Sequence, residues 1–169
     1  MKSGEGFRDN DSGMSEILKE MSSLSELKLK VGLFGTEEAE SGGPTIVEYA
    51  TWNEYGVPGP PYSENGGGIW FIPPRPFIRG WLDNEGELLK TVTEKLVKQL
   101  FYGKLSALEV AEFLGQFSQV GIKKYIREGR FVPNAERTKK GKRGSTKPLI
   151  DTDTMRNSIR YKVLKDDTQ

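Results

Sequence analysis

Residues 27–34, LKLKVGLF, set Leu27, Leu29, Val31 and Leu33 against Lys28, Lys30 and Gly32 in strict alternation. Side chains of a strand point to opposite faces in turn, so this pattern predicts a strand with one buried and one solvated face. The mirror of it lies near the far end of the chain. In IRYKVL, residues 159–164, Ile159, Tyr161 and Val163 alternate with Arg160 and Lys162. A third short apolar run, IWFI at 69–72, reads as a strand stopped by PPRP, because three prolines within four residues remove three ladder donors. One-faced strands alternate apolar and polar, as antiparallel sheets with one solvated face do.

Between these strands the apolar period changes to that of helices. Met14, Ile17, Leu18 and Met21 predict a short amphipathic helix before the first strand. Pro44 can take the first position of a helix that ends before Gly56, with Ile46, Tyr49 and Ala50 inward. A long helix is expected from near Phe77 to Gly103, striped by Leu88, Leu89, Val92, Leu96 and Leu100. The next has a capping box, Ser106 with Glu109, and a staple of Leu105 and Val110. Phe113, Leu114, Phe117, Val120, Tyr125 and Ile126 give it a broad apolar face, while Gly115 and Gly121 weaken it by roughly 1 kcal/mol each. Residues 131–148 show no periodicity and are expected to form a flexible basic loop. Thr152 can then cap a short turn around Met155. The fold class that follows is α+β: a small, mostly antiparallel sheet packed with two long helices and short flanking helices. It forms a single domain over 13–165, between a Gly-, Ser- and charge-rich N-terminus at 1–12 expected to be disordered and a tail at 166–169.

Composition narrows the chemistry. The 169 residues carry a formal net charge of +1, with 35% hydrophobic and 29% charged side chains, a polar but globular mix. Neither Cys nor His occurs, which removes thiol chemistry, disulfides and the commonest general base and metal ligand. No apolar run approaches the ~20 residues of a membrane span, and MKSGEGFRDNDSG lacks the apolar core of a signal peptide. A soluble, non-secreted protein without cofactor is expected.

Charge is segregated along the chain. From Thr36 to Glu54 stand Glu37, Glu38, Glu40, Glu48 and Glu54 with no cation; from Glu136 to Lys147 stand Arg137, Lys139, Lys140, Lys142, Arg143 and Lys147 against a single Glu136. Such segments suit head-to-tail contact between identical subunits, or stay solvated as two loops. The basic run could also neutralise nucleic-acid phosphates without reading sequence. Asp151 and Asp153 form a D-x-D pair that could hold a divalent cation, but no companion ligands follow, and capping of the next turn is the simpler role. Trp52, Tyr55, Trp70, Phe71, Phe77 and Trp81, interleaved with Arg75 and Arg79, could stack bases. Core plus subunit interface, where the same residue types are enriched, is the favoured reading. No S-x-x-K element offers a nucleophile, so an enzyme is not expected.

Three stretches in this order, VGLFG followed by ATWNEYG, then FIPPRPFIRG, then STKPLIDTDTMRNSIRYKV, resemble the neck and tail-completion (head–tail joining) proteins of tailed bacteriophages, a group related to Mu-like virion-morphogenesis proteins. The likeness spans roughly Val31 to Val163. Asn53 stands where that family often has His, Asp153 where it has Gly and Met155 where it has Leu. The resemblance implies a structural virion protein, made in the host cytoplasm and located in the neck or tail region. It implies assembly as a homo-oligomeric ring that joins other neck, connector or tail proteins and continues the DNA channel. It makes Trp52, Glu54, Tyr55, Arg75, Phe77, Arg79, Asp151, Thr152 and Arg156 candidates for a subunit or partner interface. Arg137, Lys139, Lys140, Lys142, Arg143 and Lys147 become candidates for contact with a partner or with DNA in the lumen. The alternative is a sequence-nonspecific DNA-binding module using the basic run 137–147.

Overall fold

The computed structural model of the chain describes residues 12–35, 44–58, 72–141, 147–149 and 153–165, the side chains at 12, 137, 138 and 141 excepted. Its elements run α1 (Ser12–Ser25), β1 (Leu27–Leu33), α2 (Ile46–Tyr55), α3 (Ile78–Phe101), α4 (Ala107–Glu128), α5 (Glu136–Gly141), α6 (Thr154–Asn157) and β2 (Ile159–Lys165). The two strands, from opposite ends of the chain, pair antiparallel from Leu27 opposite Lys165 to Leu33 opposite Ile159. The fold is α+β, a two-stranded antiparallel sheet packed against helices.

The register explains the core. It sets Val31 opposite Tyr161 and Leu33 opposite Ile159, so the apolar sets of both strands share one face, and that face lies on α4. Fully buried Ile159 joins Phe77, Trp81, Ile122 and Ile126 in the main cluster. A second cluster, Leu100, Ala107 and Val110, fills the turn between α3 and α4, closed by Leu24 of α1. Gly103, at φ 67°, ends α3 as expected, since a left-handed residue stops the helix with least strain when it lacks a Cβ.

Helix α4 starts on its capping box: the Ser106 hydroxyl accepts from the Glu109 amide, and the Glu109 carboxylate accepts from the Ser106 amide at 2.8 Å. The bonds that the Ser106 amide and hydroxyl donate to it hold the Glu109 carboxyl below the usual carboxylate range. The staple residues Leu105 and Val110 meet in the second cluster. Its glycines have a reason that periodicity does not carry. A Cβ built on Gly115 would lie 2.3 Å from the Tyr161 ring, and one on Gly121 would lie 2.5 Å from Trp81 Nε1. Aromatic rings, not another backbone, occupy the space that the missing side chains leave.

Several local expectations need correction. Thr45, not Pro44, opens α2: its hydroxyl accepts from the Glu48 amide and Glu48 closes a second capping box, which places Pro44 before the cap. Tyr49 of α2 stays 39% exposed while Asn53 and Glu54 turn inward. Of the expected middle strand only Ile72 is described, and it forms a lone bridge with Val57. The stretch 131–148 is not without regular structure, because α5 forms within it, its start held by an ion pair of Lys139 with Glu136 one turn earlier. Helix α1 is present, but Met14, Leu18 and Met21 lie at least 40% exposed; its inward side is Ile17, Glu20 and Leu24. There the Glu20 carboxylate accepts from the Ala107 amide at 2.7 Å and ties α1 to the start of α4. Leu88, Phe113 and Val120 also point outward. The expectations for residues 1–11 and 166–169 lie outside the described residues.

Candidate functional site

The residues singled out in ATWNEYG and PPRPFIRG meet at the joint between α2 and α3. Pro73, Pro74 and Pro76 have no amide hydrogen, so the amides available at the entry to α3 are those of Arg75, Phe77, Ile78 and Arg79. All are taken by two consecutive residues of α2. Arg75 donates to the Asn53 carbonyl at 2.6 Å. Phe77 and Ile78 donate to Glu54 Oε2 at 2.7 and 3.0 Å, and Arg79 donates to Glu54 Oε1 at 3.0 Å. Phe77, at the cap position of α3, offers no side-chain bond of its own. Glu54 therefore caps α3 from another helix, and a carboxylate there also complements the helix dipole.

Two arginines finish the joint. Arg79 returns to Glu54 through Nε to Oε1 at 3.1 Å and through Nη2 to the Glu54 carbonyl at 2.7 Å, and its guanidinium lies 4.7 Å from the centre of the Tyr55 ring. Arg75 is buried. Its Nη1 donates to Asn53 Oδ1 at 3.2 Å, Nε to the Val132 carbonyl at 2.8 Å and Nη2 to the Pro133 carbonyl at 3.3 Å. Burial pushes its pKa below the ordinary arginine value, and carbonyl dipoles, not a carboxylate among the described residues, receive its charge. The guanidinium thereby pins the extended segment after α4 to α2.

This joint is closed: each Glu54 oxygen already accepts two bonds. Glu54, Arg75 and Phe77, at 5%, 6% and 0% exposure, are spent inside the chain and leave the candidate interface. Trp52, Tyr55 and Arg79 remain on the surface beside Tyr49, an aromatic and cationic face of α2 and the start of α3.

The acidic stretch is likewise partly committed, with Glu48 in the α2 capping box and Glu54 in the joint; Glu37, Glu38 and Glu40 lie outside the described residues. In the basic run Lys139 is paired with Glu136, while Lys140 and Lys147 are exposed. Lys142, Arg143 and the Arg137 side chain lie outside the described residues, as do Asp151 and Thr152. Asp153 does not cap α6 through its side chain. It sits left-handed at φ 62°, and its Oδ2 pairs with Arg156 Nη2 at 3.0 Å. That backbone is the kind a glycine adopts without strain. Sequence reading missed Asn53, whose burial has no local signature, and Lys123 of α4. Lys123 is held below the ordinary lysine range by burial first and then by Arg160 and Arg156. Among the described residues no group of three or more potential ligands gathers for a metal, and no helix is long and apolar enough to cross a membrane. Searches against protein-family models, curated proteins and solved structures found no match for the chain.

Proposed function

We propose that the chain is a structural subunit of the head–tail connection of a tailed bacteriophage, a neck or tail-completion protein that works by contact and without turnover. The observation that carries the reading is the α2–α3 joint. Two of the three motifs on which the resemblance rests, NEYG and IPPRPFIRG, lie far apart in sequence yet use their defining residues on one another. A motif pair that fixes one helix against the next suits a building part, since their angle decides where its outer faces point. The face so aimed carries Trp52, Tyr55 and Arg79, residue types that anchor interfaces.

In this reading Trp52, Tyr55 and Arg79 meet a neighbouring subunit, and Lys139 to Lys147 reach toward an adjoining component. The test is made in particles. Tailed particles purified from cells carrying the intact gene should contain the protein, and deletion of residues 139–147 should leave a folded subunit but filled heads and tails unjoined. Absence of the protein from mature particles, or normal infectious yield without the gene, would refute the assignment.

A further inference from the structure

The strand register brings together cations that lie far apart in sequence. On the face of the sheet turned away from α4, Lys30 stands directly opposite Lys162, Arg160 follows two residues along β2, and Lys28 lies two residues along β1 from Lys30. Neither strand, LKLKVGL or IRYKVLK, contains an acidic residue. Lys30, Arg160 and Lys162 are exposed, and none of the three pairs with a carboxylate among the described residues. Lys162 Nζ lies over the face of the Phe34 ring, 4.8 Å from its centre, and the residue stays exposed. Beyond Arg160 the charge is mixed, since Arg156 of α6 pairs with Asp153 at 3.0 Å.

Solubility does not require this arrangement. A lysine on an exposed strand blunts edge-to-edge pairing, and alternating signs would do so equally well. Like charges directly opposite one another weaken a ribbon. Among the described residues the sheet has two strands, and it carries this cost on the face it shows to solvent. On each strand two cations stand about 6.7 Å apart, Lys28 and Lys30 on β1 and Arg160 and Lys162 on β2, with Gly32 and Leu164 at the remaining outward positions. Cations at that spacing suit a phosphate backbone, whose charges are regular too, and read no base edges.

We propose that this sheet face, through Lys30, Arg160 and Lys162, is a binding surface for the phosphate backbone of duplex nucleic acid, independent of sequence and distinct from the basic run at 137–147. The proposal does not rest on the neck reading: titration in solution tests the sheet face, whereas presence in particles tests the assignment to a virion.

The experiment titrates a labelled DNA duplex with the full chain at several salt concentrations, alongside two variants. One replaces Lys30, Arg160 and Lys162 by Gln; the other replaces Lys139, Lys140, Lys142 and Arg143 by Gln. Wild-type affinity should fall with salt, and the sheet variant should show a slope of log K against log salt smaller by about three. Between about 50 and 200 mM salt, three such contacts account for about a 40-fold loss. The basic-run variant should keep the wild-type share of that loss contributed by the sheet. Lys30→Arg with Lys162→Arg, which retains the charge, should restore the slope and shows that lost binding is not lost folding. Two results overturn the proposal: no binding by the wild type at low salt, or an unchanged slope in the sheet variant, with or without a changed oligomeric state. An unchanged slope with a changed oligomeric state would assign the face to a second copy of the chain.

Discussion

Removing the Glu54 carboxylate leaves three backbone donors and one guanidinium nitrogen without their acceptor at a site 5% exposed. Unmade bonds of buried donors cost more than made ones contribute. Glu54→Ala should therefore lower unfolding free energy by about 3 kcal/mol in a denaturant titration, and Glu54→Gln, which keeps one acceptor oxygen, by less, about 1–2 kcal/mol. A Glu54→Ala change within about 0.5 kcal/mol of wild type would show that water or another side chain caps α3 equally well. The sequence marked Glu54, Arg75 and Phe77 as notable but put them at an outer interface. Their partners lie 22 to 58 positions away, and no spacing rule links a carboxylate on one helix to amides at the start of the next. What could have been read was the missing acceptor: PPRPF holds no Ser, Thr, Asp or Asn to cap α3, so its first amides had to find an acceptor elsewhere.

At the scale of elements, α4 makes a sharper distinction. Gly86, inside α3, has nothing within 4 Å of a built Cβ, whereas the same atom on Gly115 would enter the Tyr161 ring. Propensity treats the two alike and favours Ala by about 1 kcal/mol. Packing does not. Gly86→Ala should stabilise by about 0.5–1 kcal/mol, and Gly115→Ala should destabilise by about 1–2 kcal/mol as Tyr161 is forced off the helix. Thermal unfolding of the two variants beside wild type checks both, and stabilisation by Gly115→Ala would mean that the sheet rides above α4 without close contact. Elements set by local chemistry were legible: the alternation of both strands, the Ser106–Glu109 box, the halt at Gly103. Those depending on neighbours were not. Helix α5 has no apolar stripe to announce it, and the stripe of α1 misled because the helix docks through Ile17, Glu20 and Leu24 while Met14, Leu18 and Met21 stay largely exposed. The Thr45 cap was missed because Pro44 offered an equally good first helical position two residues before the actual one, Ile46.

For the whole molecule, the two strands close the chain on itself. With β1 and β2 paired over their full length and both laid on α4, ends remote in sequence become one wall, and the α3–α4 pair spans the two apolar clusters beneath it. The alternating patterns contained that wall's inner face. Its outer face was equally present as Lys28, Lys30, Arg160 and Lys162, but their convergence needs the register, which one strand alone does not define. The molecule thus shows two unlike outer surfaces, a cationic sheet face and the aromatic side of α2. Trp52 separates assembly from folding on the second. It is 38% exposed, and Glu54, not Trp52, carries the joint that its helix makes. Trp52→Ala should shift subunit unfolding by no more than about 0.5 kcal/mol, yet in the proposed assembly, where Trp52 anchors the interface, weaken each subunit contact by about 2 kcal/mol, roughly 30-fold in association. Native mass spectrometry over a range of protein concentrations reads that difference directly. If Trp52→Ala assembled at the wild-type concentration, subunits would join through another surface; if it failed to fold, the tryptophan would belong to the core, and the α2 face would lose its claim to aim the subunit at a neighbour.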